Sequence, residues 1–327
     1  MDRIRSIAVR VPPIARWGVF AIVAPVILSG CAQVAPHSNP TTVPTPTVAS
    51  VAASVTPTPT PTPTPTATTL YQQLSAKAQK QFKGCLKVTV RPGSSGRCAE
   101  LVVKKLKKYG FYPWSTSSYI TTAGANAILN YQRSRGLDDT ATTTEETWAA
   151  LALNTPAVPK TLPKKCTSGK YKIIICVDQA QRKLFWIKKG KIVKKYPVRL
   201  GGWNSHAKTH EWRVFPTADG TWSVFDKQVS PASENYGSGA MPYSTMFHPD
   251  MYIHYSPGFH SVGYAQSSHG CVNIGQLSQA QWIFANTPIG TPVYIYSPKQ
   301  PAATATPTPG PSATASASAT PSSLPTS

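Results

Sequence analysis

Three stretches of the chain place apolar residues at helical spacing. From Ala99 to Tyr109, Leu101, Val102 and Leu106 share one side with lysines opposite, and Gly110 closes the run. Ala123 to Arg135 repeats the pattern before Gly136, and Thr144 to Leu153 makes a third, shorter segment. Past residue 166 the period changes. "YKIIICVD" is a short continuous apolar run of the kind a buried strand needs, and "KLFWIKKGKIVKKYPV" reads as two strands around Lys189-Gly190. "GTWSVFD", "MYIHYS" and "TPVYIY" continue in the same manner, and "LSQAQWIFANT" alone in this part reads as a helix. The expectation is a multidomain chain: a small all-α three-helix region over 70–155, then a mainly-β, mostly antiparallel region over 166–297.

The flanks have a different composition. Residues 36–69 are almost entirely Pro, Thr, Val, Ala and Ser, with a Thr-Pro repeat from Thr56 to Thr66. Such a stretch cannot bury a core. At about 3.1 Å per residue it makes an extended tether of roughly 100 Å, assigned to 31–69. A second Pro/Ala/Ser/Thr stretch over 298–327 is expected to be disordered. The N-terminal segment carries Arg3, Arg5, Arg10 and Arg16, then an apolar run from about Trp17 to Leu28 that is too short for a membrane span and suits an export signal. Leu28-Ser29-Gly30-Cys31 resembles a bacterial lipobox, which implies cleavage after residue 30, a lipid on Cys31 and attachment to the membrane. A secretory signal with an incidental cysteine is the alternative. Either places the mature chain outside the cytoplasm.

That location changes the reading of the charge. The 327 residues hold 33 Lys and Arg against 12 Asp and Glu, for a net charge of +21. Nucleic acid is the usual partner of such a balance, but an exported chain does not meet chromosomal DNA, so none is expected. Lys104, Lys105, Lys107 and Lys108, taken as the polar side of one helix, suit attraction to an anionic wall polymer or lipid head groups, or simply a solvated face.

The location also changes the reading of the cysteines, because disulfides persist in an oxidising compartment. Cys85 with Cys98, and Cys166 with Cys176, would each close a short loop, although spacing alone leaves the connectivity open. Cys271 is then left over as a candidate nucleophile. A thiol needs a base to take its proton. His269 lies two residues before Cys271, His254 lies seventeen before it within an apolar strand, and His260 falls in a Pro/Gly loop.

His254 followed by Ser268-His269-Gly270-Cys271-Val272-Asn273 resembles the signature of the YkuD-type L,D-transpeptidase catalytic domain of bacterial cell walls. "VDQAQRKLFWIKKGKIVKKYPVRLGG" is similar to that family's opening strands, "MPY" at 241–243 to its substrate flap, and "TPVYIY" to its closing strand. The family's Thr-Pro-x-Gly turn stands here as "FPTADGTW", which is given a structural role only. The resemblance implies Cys271 as nucleophile and His254 as general base, without a cofactor. It further implies an oxyanion hole from backbone N–H groups around Gly270 and Cys271, a site shaped by Ser268, His269 and Asn273, and a donor groove lined by Tyr243. The implied reaction is acyl transfer from a peptidoglycan tetrapeptide stem through a thioester to a neighbouring stem, giving a 3→3 cross-link, with carbapenem β-lactams as inhibitors. Gln132, Gly136, Leu137, Thr147 and Trp148, within the helical pattern, resemble a small peptidoglycan-binding module, with "PWSTSSYIT" replacing that module's Asp- and Gly-containing loop.

Two other readings stand beside this one. A zinc-dependent murein peptidase could draw on His248, His254 and His260, which recur every six residues, but no H-E-x-x-H is present and His206 and His210 lack a glutamate between them. A non-catalytic, lipid-tethered wall anchor would need only the lipid, the tether and the helical module. No G-x-S-x-G motif supports a serine hydrolase, and the scattered carboxylates give no glycosidase pair.

Overall fold

The computed structural model describes residues 69–233 and 236–300; the leader with Cys31, nearly all of the expected tether and the tail beyond residue 300 lie outside the described residues. Two short helices, α1 (Leu70–Gln73) and α2 (Ala76–Phe82), precede α3 (Arg97–Lys108), α4 (Thr122–Ser134) and α5 (Glu145–Leu153). The last two begin where threonine side chains satisfy orphan amides: Thr121 accepts from the Gly124 N–H and Thr144 from the Thr147 N–H. Helix α3 ends at Tyr109, where Gly110 turns the chain at a φ of 77°. Phe82, Leu106, Ile128, Leu129, Trp148 and Leu151 form one apolar core among these helices. The Cys85–Cys98 disulfide ties the end of α2 to the start of α3, and Trp148 Nε1 donates to the Val88 carbonyl at 2.8 Å.

Two expectations are corrected here. Lys105 is not on the solvated face of α3: it is 7% exposed, with its ammonium 4.8 Å from the centre of the Phe82 ring, and Lys104 pairs with Glu100 at 2.6 Å. Residues 298–300 are not free tail, since Lys299 Nζ reaches Asp138 at 3.1 Å and Gln300 Nε2 donates to the Pro156 carbonyl at 2.9 Å.

After α6 (Lys164–Thr167) come β1 (Ile173–Asp178), β2 (Lys183–Lys188) and β3 (Lys191–Arg199). The β2–β3 turn falls at Lys189-Gly190, both at positive φ as a tight hairpin requires. A small hairpin, β4 (Trp203–Ser205) with β5 (Trp212–Val214), leads to β6 (Gly220–Ser223) and β7 (Asp226–Gln228), and then to the short pair β8 (Ala232–Ser233) and β9 (Gly237–Ser238). Strands β10 (Ser244–His248) and β11 (Met251–Tyr255), helix α7 (Pro257–Val262), β12 (Val272–Ile274), α8 (Leu277–Asn286) and β13 (Pro292–Tyr296) complete the chain. Nine strands form one sheet in the order β6-β13-β1-β2-β3-β12-β11-β10-β7, antiparallel except for β1 with β13 and β11 with β12. One face packs Ile175, Leu184, Val198, Ile253, Val272 and Ile274 against Ala280 and Ile283 of α8. A smaller cluster on the other side of β1 and β2 is closed by the Cys166–Cys176 disulfide.

Helix α4 joins the two regions. Every residue from Gly124 to Ser134 is buried, because the β region covers the side that the other helices leave open. Asn126 Nδ2 donates to the Trp203 carbonyl (3.1 Å), and the Trp203 N–H donates back to Asn126 Oδ1 (3.0 Å). Arg133 Nη1 donates to the Gly201 carbonyl at 2.8 Å while its Nε and Nη2 hold Asp139. The helices therefore brace the segment between β3 and β4 through partnered buried polar groups.

Candidate active site

Side chains alternate along a strand, and here the alternation fixes the site. Val198, Ile253, Val272 and Ile274 face the α8 core. Arg199, Asn273 and His254 are register partners across β3, β12 and β11 and so form one row on the opposite face. Cys271 enters just before β12, after Gly270 at a φ of 116°. A Cβ at Gly270 would stand 3.1 Å from the Pro216 carbonyl oxygen, so both backbone conformation and space require glycine there.

The loop bearing Cys271 is tied down at several points. Ser268 Oγ donates to the Cys271 carbonyl (2.6 Å) and accepts from the Gly270 N–H (3.2 Å). Thr217 Oγ1 donates to the Gly270 carbonyl (2.8 Å) and accepts from the Gly201 N–H (2.9 Å). The "FPTADGTW" turn thus touches the loop that carries Cys271 directly, and its contacts are not confined to the turn itself.

Around this row lies a cavity of about 510 Å³, lined among others by Arg199, His254, Ser268, His269, Cys271 and Asn273. His254 Nδ1 lies 2.7 Å from the Tyr255 carbonyl, which can only accept, so Nδ1 carries the hydrogen and Nε2 is the free basic nitrogen of the neutral ring. Burial, assisted by the charge of Arg199, pushes the His254 pKa down to about 4, against the opposing effects of the Tyr255 carbonyl and the Asn273 side chain. Burial pushes the Cys271 thiol up to about 11, with Asp250 adding to the effect and the Tyr252 backbone opposing it. Burial thus disfavours the charged form of both groups.

Cys271 is the free cysteine among the described residues, and it is half-buried. His269 is placed differently from His254. Its Nε2 lies 2.7 Å from the Ser205 carbonyl, and its ring packs 4.7 Å from Phe215 and 5.3 Å from Tyr236, which makes it a wall of the cavity. Tyr243 does not line the cavity: its hydroxyl accepts from Gln281 Nε2 at 2.9 Å and its ring packs against Phe284 of α8. Tyr236 and Met241 line the cavity in its stead. His260 lies on α7 rather than in a loop, with Nδ1 3.0 Å from the Gly275 carbonyl. His248 packs edge-on against Trp222 at 4.5 Å, and among the described residues no group of three His, Cys, Asp or Glu converges as a metal-ligand set.

Arg199 has no counterpart in the sequence reading. It is 6% exposed, its Nη2 donates to Ser256 Oγ at 3.0 Å, and its Nε is buried without a partner. Among the described residues no carboxylate lines the cavity, and burial lowers the Arg199 pKa to about 10. The only sequence signal was an arginine at an alternate, inward position of an otherwise apolar strand end.

Comparison with solved structures finds an L,D-transpeptidase from Xylanimonas cellulosilytica, 19% identical over 63% of this chain and 97% of its own, at a TM-score of 0.34. One from Stackebrandtia nassauensis is 20% identical over 64% of this chain and 96% of its own, at a TM-score of 0.35. A third L,D-transpeptidase, solved in complex with imipenem, is 21% identical over 38% of this chain and 59% of its own, at a TM-score of 0.31. No curated protein matches the chain. The segment that builds the sheet and carries both Cys271 and His254, residues 172–295, matches the model of YkuD, the L,D-transpeptidase catalytic domain.

Proposed function

We propose that this chain is a peptidoglycan L,D-transpeptidase that forms 3→3 cross-links through a thioester on Cys271. The observation that carries the reading is His254, with its hydrogen held at Nδ1 by the Tyr255 carbonyl so that Nε2 is the basic nitrogen, in the cavity that Cys271 lines. Cys271 Sγ attacks the carbonyl carbon of the third residue of a tetrapeptide stem, and the thiol proton passes to His254 Nε2. The tetrahedral intermediate collapses, the C–N bond breaks, and the terminal D-alanine leaves with that proton on its amine. The amine of a second stem then attacks the thioester, gives its proton to His254, and releases the cross-linked amide and the thiol.

The cavity suits such a donor. Arg199, a buried cation with no carboxylate among the described residues lining the cavity, brings positive charge to an anionic peptide. Asn273 Oδ1, buried and unpartnered beside His254, can accept from the ring when it becomes charged. The Gly270 N–H is already engaged by Ser268, which leaves the Cys271 N–H as the amide to meet the oxyanion in this conformation. Two disulfides agree with an extracytoplasmic, oxidising location, reached through the leader and held by lipid on Cys31.

Mass spectrometry of purified muropeptides incubated with the protein tests the reading. Wild type yields 3→3 product. Cys271→Ala and His254→Ala each abolish it, because either removes the whole catalytic unit, and EDTA has no effect. Activity that survives Cys271→Ala and vanishes with EDTA would establish the zinc reading, while binding to wall without turnover would establish the anchor.

A further inference from the structure

A second depression, of about 340 Å³, lies where the β4–β5 hairpin meets the helices. Its walls are Trp203 and Trp212 from the hairpin, and Tyr119, Gly93 and Thr122 from the helical region. Trp203 and Trp212 are a diagonal pair on one face of the hairpin, with ring centres 6.2 Å apart and planes within 25° of parallel. Trp212 is 46% exposed and Tyr119 50% exposed. Two large aromatic rings left half in solvent on one concave surface mark a contact surface. The platform is rigid, since the Trp203 backbone is held from both sides by Asn126 and its ring packs on the helical core.

Charge decides which ligand fits. The chain carries +21, yet among the described residues no charged side chain lines this depression. A polyanion would find nothing to pair with here. A neutral sugar presents an apolar C–H face that covers an aromatic ring, and hydroxyl and amide edges that meet groups such as the Tyr119 and Thr122 hydroxyls. Position narrows the choice further. The same hairpin contributes Asn204, Ser205, Ala207 and His210 to the cavity of Cys271, so one hairpin borders both depressions.

We propose that the groove between Tyr119 and the Trp203–Trp212 pair binds the neutral glycan strand of the polymer whose peptide branches enter the Cys271 cavity. The identity of that polymer rests on the transpeptidase reading; the binding of sugar does not. The groove selects long substrate and orients it, and takes no part in bond making.

The full-length protein is titrated with the β-linked tetramer of N-acetylglucosamine while tryptophan fluorescence is followed, alongside an anionic oligogalacturonate and an apolar peptide of similar size. The neutral tetramer gives a saturable change, and Trp212→Ala and Tyr119→Ala each weaken it by about tenfold while the melting temperature stays that of wild type. Trp212→Phe retains part of the affinity. In turnover assays Trp212→Ala raises KM for polymeric wall with kcat unchanged, and leaves KM for free tetrapeptide unchanged. No saturable signal with the tetramer, equal binding by Trp212→Ala, or tighter binding of the anionic sugar or the peptide would each overturn the proposal. Sugar binding in a wild-type protein that turns nothing over would keep the groove and reject the transpeptidase; turnover without sugar binding would do the reverse.

Discussion

Helix α4 and the row Arg199–Asn273–His254 both bury polar groups, and three side chains of the helix that face the β region or the next loop are bonded, while Tyr131 of the helix and two side chains of the row each keep an unpartnered atom. In α4 the buried Asn126, Gln132 and Arg133 are partnered: Gln132 alone donates to Thr140, Thr142 and Thr147 and accepts from the Ala141 N–H. In the row, Arg199 Nε and Asn273 Oδ1 are buried without partners. A satisfied network fixes a structure, whereas an unsatisfied one costs stability and persists where a further molecule completes it. These two buried arginines are held differently: Arg133 bonds Asp139 and the Gly201 carbonyl, whereas Arg199 bonds Ser256 and the Gly263 carbonyl and meets no carboxylate among the described residues that line its cavity.

Removing each arginine tests that difference. Arg133→Ala strips the Gly201 carbonyl of its partner and leaves Asp139 unpaired; with Asp139 partly exposed, the loss is about 2–4 kcal/mol of stability in chemical denaturation. Turnover of free tetrapeptide falls with it, because the Gly201–Ser268 bridge beside the nucleophile loop loses its brace. Arg133→Lys recovers only part, since an ammonium cannot make the forked set of bonds. That result would make the helical region a brace for the segment beside Cys271.

Arg199→Met has the smaller and opposite signature. Taking away a buried, unpaired charge leaves stability within about 1 kcal/mol of wild type, while KM for an anionic donor peptide rises by about tenfold or more. Its positive charge helps to hold the His254 pKa down, so the acid limb of the pH profile, set by protonation of His254, moves to higher pH in the variant. A loss of stability as large as that of Arg133→Ala, with KM unchanged, would erase the contrast.

Much of the site was legible in the chain because its chemistry is local. Cys271, Gly270 and Ser268 lie within four positions and form one bonded turn, and His254 stood out as a histidine inside an apolar strand. The two disulfides were legible because each closes a short loop. What the pattern could not show depends on contacts distant in sequence. Arg199 meets Asn273 only through the pairing of β3 with β12, and Thr217 meets Gly270 only once the turn folds over the loop. Tyr243 was placed in the groove by the resemblance of "MPY" to a substrate flap, yet the turn before β10 delivers it to α8. The lysine stripe of α3 ignored Phe82, whose ring draws Lys105 inward. The burial of α4 on all sides was invisible to a periodicity that assumes a single core.

The central claim is that Cys271 is the nucleophile and that neutral His254 removes its proton during attack. Intact-mass analysis with peptide mapping after exposure to a carbapenem, repeated from pH 5 to pH 8, tests both halves together. A single adduct on Cys271 is expected, absent in Cys271→Ala and slowed by at least about a hundredfold in His254→Ala. Because the His254 pKa lies at about 4, the wild-type rate should hold down to pH 5 and not fall through the usual histidine range. An adduct on another residue, a wild-type rate in His254→Ala, or a rate that collapses between pH 7 and pH 6 would contradict the account.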